Sequence, residues 1–415
     1  MDFKARREEV FNKMEANSVL ILFSGIESHV SADEYAPFEA NRNFFYLTGL
    51  RRDNMVLVMD KAVEEPKTFL YIEEADETVV RWTGKKVSVE EAKEVTGIED
   101  VRFIDSFQGE ISRIMTREDV KNFYFDCYRE QVSDLADYNA VKAKEFTDRY
   151  LGVTVKNLHP IIAEMRMQKD NDEITQIREA VRVTDEGLKR VLKKLEPGKK
   201  EYQAQADFEY TIKYLGAEGP SFATIAGSGM NGTMLHYETN QETCKDGDLL
   251  LLDLGAKWQG YCSDITRTYP VNGTYTDRQK QVYNIVLKAN RAVAKAAKPG
   301  MTLRELNDIC KKVLAEGCIE LGLIKEEKEI DKYYMHGVSH HLGIDVHDVT
   351  VASNSKLRPG AVITDEPGLY IDEWETGIRI EDDLLITEDG CEVLSEAIMR
   401  NPDEIERYMA EYHNK

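Results

Sequence analysis

The sequence predicts two domains, an α/β domain over residues 1–158 and an α+β domain over residues 159–415 made of two similar halves. Three observations predict this. The chain has 415 residues, more than one ordinary hydrophobic core accommodates. Apolar runs alternate with helical patterns over roughly the first 150 residues and then give way to long helical patterns. Beyond that point one pattern occurs twice: a Pro-Gly opens a helix, a histidine follows, and a glycine-led strand ends in an acid.

Composition narrows the class. Hydrophobic residues make up 42% and charged residues 31% of the chain, as in globular proteins, and no run approaches the roughly 20 apolar residues of a membrane span. Residues 2–14 read as an amphipathic helix, with Phe3, Val10, Phe11 and Met14 on one side and no signal-peptide core. A cytoplasmic location is therefore expected. Cys127, Cys244, Cys262, Cys310, Cys318 and Cys391 show no CxxC spacing and are expected to be reduced core residues. A formal charge of −22 argues against nucleic acid and against anionic membranes as partners.

In order, strand-like runs fall at 19–23, 55–59, 69–72 and 123–125, and helical patterns at 89–95, 107–115 and 134–144. His29 is expected in a loop, and nothing in this half has catalytic spacing. Asp170 and Glu173 form a capping-box pair ahead of a helix that carries Ile174, Ile177, Val181, Leu188 and Leu192 as far as Pro197–Gly198. The repeat follows: Pro197–Gly198, His236 and Gly247 leading to Asp253, then Pro299–Gly300, His340 and Gly360 leading to Glu366. Helices expected over 276–298 and 303–321 should cover one side of a sheet.

Four acids carry the chemistry. Leu249 to Leu252 run into Asp253, an apolar strand whose terminal charge is costly to bury without compensation. Cys262, Asp264, Thr266 and Thr268 then alternate with period two. A hairpin centred between Trp258 and Gln259 would set Asp253 directly opposite Asp264. A second hairpin, centred between Glu373 and Trp374, would set Glu366 opposite Glu381. Like charges so placed repel, whereas two divalent cations about 3.5–4 Å apart would neutralise them and form a recurrent hydrolytic device. The alternative is four unrelated surface acids among 76. Matched symmetry and apolar flanks favour the metal site.

His336, His340, His341 and His347, half of the chain's eight histidines, could supply nitrogen ligands. Gly337 and Gly343 argue against a regular helix there. Gly227, Gly229 and Gly232 spell GxGxxG, but residues 233–237 look extended where nucleotide binding needs a helix. A glycine-rich turn that brings backbone close to the site is the preferred reading.

Taken together, LLLLDLGAKWQGYCSDITRTYP, HGVSHHLGIDVHD, TDEPGLYI and GIRIEDDLLI resemble the "pita-bread" metallopeptidases, most of all the aminopeptidase P family. RNFFYLTG at 42–49 and RWTG at 81–84 resemble that family's creatinase-like N-terminal domain, which serves oligomerisation and substrate gating. The resemblance implies a pita-bread catalytic domain with pseudo-two-fold symmetry. It implies two divalent metal ions, with Mn²⁺ the family expectation, held by Asp253, Asp264, His340, Glu366 and Glu381. Of these, Asp264 and Glu381 would bridge both ions. The implied reaction removes the N-terminal residue from peptides with proline second, through a hydroxide between the metals. His236 and His347 would contact substrate, Glu366 would move the proton, and Arg379, His336 and Tyr370 would line the site. Arg379 is spaced to face the same side as Glu381, so a salt bridge to that ligand is a second possibility. A homodimer or homotetramer is implied, with Trp82 either a contact to a neighbouring subunit or a core residue. His341 and Asp365 depart from the family pattern. The alternatives are a prolidase, which cleaves only Xaa-Pro dipeptides; a creatinase-like, metal-free hydrolase, against which the presence of all five ligands argues; and a non-catalytic binding module, against which intact Asp253, Asp264 and Glu381 argue.

Overall fold

The computed structural model describes residues 1–129, 131, 133–352 and 355–413. These residues form two compact units, Met1–Glu164 and Met165–Lys415.

The first unit is built on a six-stranded sheet in the order Asp100–Phe103, Lys67–Ile72, Val56–Asp60, Ser18–Phe23, Asn122–Phe125, Thr154–Asn157. Ser18–Phe23 is buried at every position, as a continuous apolar run covered on both faces should be. Phe107, Ile111 and Ile114 from the helix Phe107–Met115 pack on one face with Phe23, Phe123 and Phe125. The two edge strands have no fully buried residue, so their sequences carry no apolar run to announce them. The helix expected at 134–144 runs instead over Tyr138–Arg149, because the Asp137 side chain accepts from the amide of Ala140 and sets its start. His29 lies on a short exposed strand, His29–Ser31, rather than in a loop. Trp82 is 84% exposed, which excludes the core reading.

The second unit repeats a helix pair followed by hairpins. Asp170 and Glu173 form the capping box, and the helix Asn171–Lys194 packs against Glu201–Tyr214. Close approach occurs at Gly187, where a Cβ would lie 2.4 Å from the Phe208 ring. In the second half Asp277–Ala296 packs against Leu303–Glu320, with Gly317 equivalently close to Ile285. The first half's strands Ile225–Ser228, Leu249–Leu254 and Ile265–Pro270 form one antiparallel sheet. The second half supplies Val362–Asp365, Asp382–Ile386 and Cys391–Val393, and the ribbon Gly368–Ile371 with Thr376–Arg379.

Register decides which side chains meet. In the second half Asp365 pairs with Asp382 and Gly368 with Arg379, so Glu366 and Glu381 occupy facing positions between the two ladders. The first half differs from expectation by one residue. Trp258 pairs with Tyr261, and the turn is Gln259–Gly260, with φ of +48° and +83°. A type I′ hairpin turn requires both central residues at positive φ, and glycine at the second adopts this without strain. Asp253 therefore pairs with Thr266, and Asp264 lies diagonal to Asp253 instead of opposite it.

Residues 233–237 form no strand. Gly229–Thr233 is a 3₁₀ turn and the chain runs on irregularly to the next strand. This turn lies against the strand Thr376–Arg379, and an ideal Cβ on Gly377 would stand 1.7 Å from the Gly232 carbonyl oxygen. Gly377→Ala is expected to lower the melting temperature by roughly 5–10 °C, the cost of overpacking by a few kcal/mol. A thermal scan of the variant beside the unmodified protein checks this; an unchanged transition would show that the turn can move aside.

Candidate metal centre

All four acids arrive at the ends of buried strands. Leu249–Leu254 delivers Asp253, and Asp264 precedes Ile265–Pro270, which is buried throughout. Glu366 follows Val362–Asp365, and Glu381 precedes Asp382–Ile386. The strands of the two halves are tied together: the Glu381 amide donates to the Thr266 carbonyl at 3.0 Å. A cavity of about 480 Å³ is lined by Asp253, Asp264, Glu366, Glu381, His236, His336, His340, His347 and Arg379. Tyr370 lies behind this lining. A larger cavity, about 830 Å³, lies in the first unit among Phe23, Phe107, Tyr138 and Phe146. It contributes no residue to the His/Cys/Asp/Glu cluster found among the described residues.

That cluster is Asp264, His340 and Glu381, whose ligand atoms all lie within 4.8 Å of one another. His340 Nε2 lies 3.4 Å from Asp264 and 3.7 Å from Glu366. Its Nδ1 faces the His341 carbonyl oxygen at 3.0 Å. A carbonyl can only accept, so Nδ1 carries the proton and Nε2 offers its lone pair to the cavity. Asp253 accepts from Arg379 at Oδ2 over 2.6 Å, while its Oδ1 is buried and, among the described residues, has no hydrogen-bond partner. A buried carboxylate oxygen without a partner is costly. A cation in the cavity would remove that cost. The donor set of carboxylates with one imidazole fits Mn²⁺, Zn²⁺, Co²⁺ or Fe²⁺.

The electrostatics agree. Burial, then the charges of Asp253, Asp383 and Glu366, push the Asp264 carboxyl well above its usual range. Burial and Asp264 do the same to Glu381, and burial raises Glu366. Burial instead lowers His336 and His347 to about 4, so both are neutral at physiological pH.

Arg379 organises the wall. Its ion pair is with Asp253, not with Glu381 as one reading of the spacing suggested. It reaches Glu381 through Thr266, which accepts from Arg379 Nε at 2.9 Å and donates to Glu381 at 2.6 Å. It also donates to the Tyr370 hydroxyl at 2.9 Å. His336 Nδ1 faces its neighbour's carbonyl, so its Nε2 accepts from the Tyr370 hydroxyl at 2.8 Å. The segment from His336 to Asp348 is irregular, in keeping with its glycines. It is held by Asp348, which accepts from Arg166 and, at 3.0 Å, from Lys169. Burial alone would raise Asp348, but these two cations outweigh it and hold the carboxyl at about 2.

Sequence reasoning passed over Thr266, Asp348, Arg166 and Lys169. Thr266 stood in the period-two alternation with Asp264 and so shared its face. The other three pair across nearly 180 residues and leave no local signal.

Comparison with known proteins now bears on this geometry. Residues 175–388 match the model of metallopeptidase family M24, and residues 3–124 match that of the aminopeptidase P N-terminal domain. The chain is 32% identical to the Xaa-Pro aminopeptidase of Escherichia coli over 432 residues, covering 98% of this chain and 97% of that one. A solved structure from Bacillus anthracis assigned to aminopeptidase P superposes with a TM-score of 0.97 at 44% identity, covering 99% and 98% of the two chains. Aminopeptidase P from Escherichia coli, solved with the inhibitor Pro-Leu, gives a TM-score of 0.90 at 31% identity, covering 100% and 99%. A metallopeptidase implies divalent metal ions, and on both the family match and the end-to-end similarity this chain belongs to metallopeptidase family M24.

Proposed function

We propose that the protein is an Xaa-Pro aminopeptidase, releasing the N-terminal residue from peptides with proline at the second position. The observation that carries this reading is the Asp264–His340–Glu381 cluster, with Asp253 and Glu366 beside it, in a chain similar from end to end to Xaa-Pro aminopeptidases. That similarity favours it over a prolidase. A proline amide is tertiary, with fixed φ and no backbone donor, so cleaving it calls for a dedicated pocket.

Asp253, Asp264, His340, Glu366 and Glu381 would hold two metal ions, Asp264 and Glu381 facing both. We favour Mn²⁺, because oxygen donors outnumber nitrogen four to one in this set. When bound, the metals acidify water and stabilise the oxyanion that develops on the scissile carbonyl. The chain's own groups do the rest. Glu366 accepts the proton of the attacking water and returns it to the departing proline nitrogen. His236 and His347 donate hydrogen bonds to the substrate carbonyl and to the tetrahedral centre formed from it. Arg379 fixes Asp253 by an ion pair and Glu381 through Thr266, so ligands from both halves keep one geometry. His336 lines the proline side of the cavity, and Tyr370 supports it from behind through its hydroxyl.

The six free cysteines fit a reducing compartment, and we place the protein in the cytoplasm. Among the described residues no helix is long and apolar enough to cross a membrane. A homodimer or homotetramer assembled through the first unit completes the reading, and the exposure of Trp82 supports a contact there.

The deciding experiment compares a tripeptide with proline second and the matching Xaa-Pro dipeptide, using chelated protein with and without Mn²⁺. Tripeptide cleavage that returns with metal is expected; cleavage of the dipeptide alone would make the protein a prolidase. Glu381→Ala and Asp264→Ala are expected to reduce turnover to background while the fold is retained, and full activity at equal metal content would refute the bridging assignment. His236→Ala should lower turnover by about 10²-fold and keep the metal.

Metal binding should also depend on pH. Asp264, Glu366 and Glu381 have folded values above their ordinary ones, so without metal they take up protons on folding. Their contribution to stability is full below the usual carboxylate range and is lost as pH rises from that range through their raised folded values. Cations reverse this and displace the protons. The rise in melting temperature on adding Mn²⁺ should be larger at pH 8 than at pH 5.5, with protons released on titration. Equal rises at both values would contradict a site of protonated acids.

A further inference from the structure

Between the strands Ile225–Ser228 and Leu249–Leu254 the chain crosses a long irregular segment, and His236 stands at its middle. The His236 side chain is exposed and, among the described residues, makes no hydrogen bond of its own. Its placement at the cavity is therefore inherited from the backbone around it. Its neighbours Leu235 and Tyr237 pack against Ile225, Leu251 and Tyr370. What anchors the segment as a whole is one carboxylate.

Glu201 is the first residue of the helix Glu201–Tyr214 and is fully buried. Its Oε1 accepts from the Ser228 amide at 2.8 Å, the Ser228 hydroxyl at 2.8 Å and the Asn231 side chain at 3.0 Å. Its Oε2 accepts from the Tyr237 hydroxyl at 2.9 Å and the Glu242 amide at 2.9 Å. All five donors lie between residues 228 and 242, on both sides of His236. One turn along the same helix, Gln205 accepts from Asn240, which in turn receives the Ala226 amide. An ionised carboxylate is acceptor-only, with about four lone-pair sites on its two oxygens, so these five donors saturate it.

We infer that Glu201 is a positioning residue for the reaction, holding the segment 228–242 so that His236 is presented to substrate. The inference rests on the aminopeptidase reading and adds to it a residue that touches neither metal nor substrate. Glutamine at 201 keeps the shape but not the chemistry. Its amide nitrogen would face either the Ser228 and Asn231 donors or the Glu242 donor, so one end of the segment is released in either orientation.

The test is a double-variant cycle on the Mn²⁺-loaded protein with a tripeptide carrying proline second. Glu201→Gln should lower kcat by about tenfold or more, with KM and bound metal little changed. In the His236→Ala background the same change should cost almost nothing, because the residue it positions is gone. Tyr237→Phe, which deletes a single bond to Glu201 and keeps the ring, reads the same cycle should Glu201→Gln fold poorly. Equal losses in both backgrounds, or an unchanged kcat in both variants beside an impaired His236→Ala, would overturn the role of Glu201 alone. Wild-type protein that binds metal yet fails on the tripeptide would sink the aminopeptidase reading and this inference with it.

Discussion

Repulsion among buried acids is the constraint on which this structure turns. Asp264, Glu381, Asp382 and Asp383 are all nearly inaccessible to solvent, and Asp253 and Glu366 lie beside them. Ionised together in a low dielectric, such groups would drive the strands apart. The chain neutralises some with fixed cations. Arg267, itself fully buried, binds Asp382 at 2.7 Å, and Arg400 binds its other oxygen at 2.7 Å. Burial would raise Asp382, yet these two arginines hold it below its ordinary value. Asp348 is treated alike by Arg166 and Lys169. Among the described residues Asp264 and Glu381 have no lysine or arginine in an ion pair, and burial with neighbouring acids pushes them up instead. The division is not a clean one: Asp253 pairs with Arg379 and still lines the cavity, whereas Asp383 and Asp365 are also raised by burial without lining it.

The hairpins make the repulsion useful by fixing which acids meet. In the second half a symmetric register sets Glu366 and Glu381 face to face. In the first the turn at Gln259–Gly260 moves the centre by one residue, so Asp264 is diagonal to Asp253 and Thr266 takes the opposing place. That shift has a consequence. Thr266 is the link between Arg379 and Glu381, so the residue opposite Asp253 is one of those that connect the two halves.

Much of this was legible in the sequence, and the failures share a cause. Strand runs such as Leu249–Leu252, the Asp170–Glu173 capping box and the four acids announce themselves by local pattern, because burial and capping act over a few residues. The turn centre differs because the midpoint of Asp253 and Asp264 falls between Trp258 and Gln259, whereas positive φ at Gln259 and Gly260 sets the turn one residue later. The partner of Arg379 was open because period two fixes a face, not a contact across 126 residues. Glu201 was invisible for the same reason: nothing beside it in sequence hints that five donors from 228–242 converge on it. Topology, rather than propensity, brings these residues together, and topology is what a single sequence states least directly.

Arg379 shows how the fixed and exchangeable charges cooperate. By pairing with Asp253 Oδ2 it fixes the orientation of that carboxylate and, among the described residues, leaves Oδ1 buried without a hydrogen-bond partner. Through Thr266 it orients Glu381 from the opposite half, and through the Tyr370 hydroxyl it fixes the lone pair of His336. One guanidinium, with its five donors in a rigid plane, thus ties both hairpins and the histidine segment to a common frame. Lysine, a point charge on a flexible stem, could satisfy Asp253 but could not at the same time orient a threonine and a tyrosine. The requirement at this position is therefore for planar geometry as much as for charge, and that geometry carries the arrangement of one half of the domain to the other.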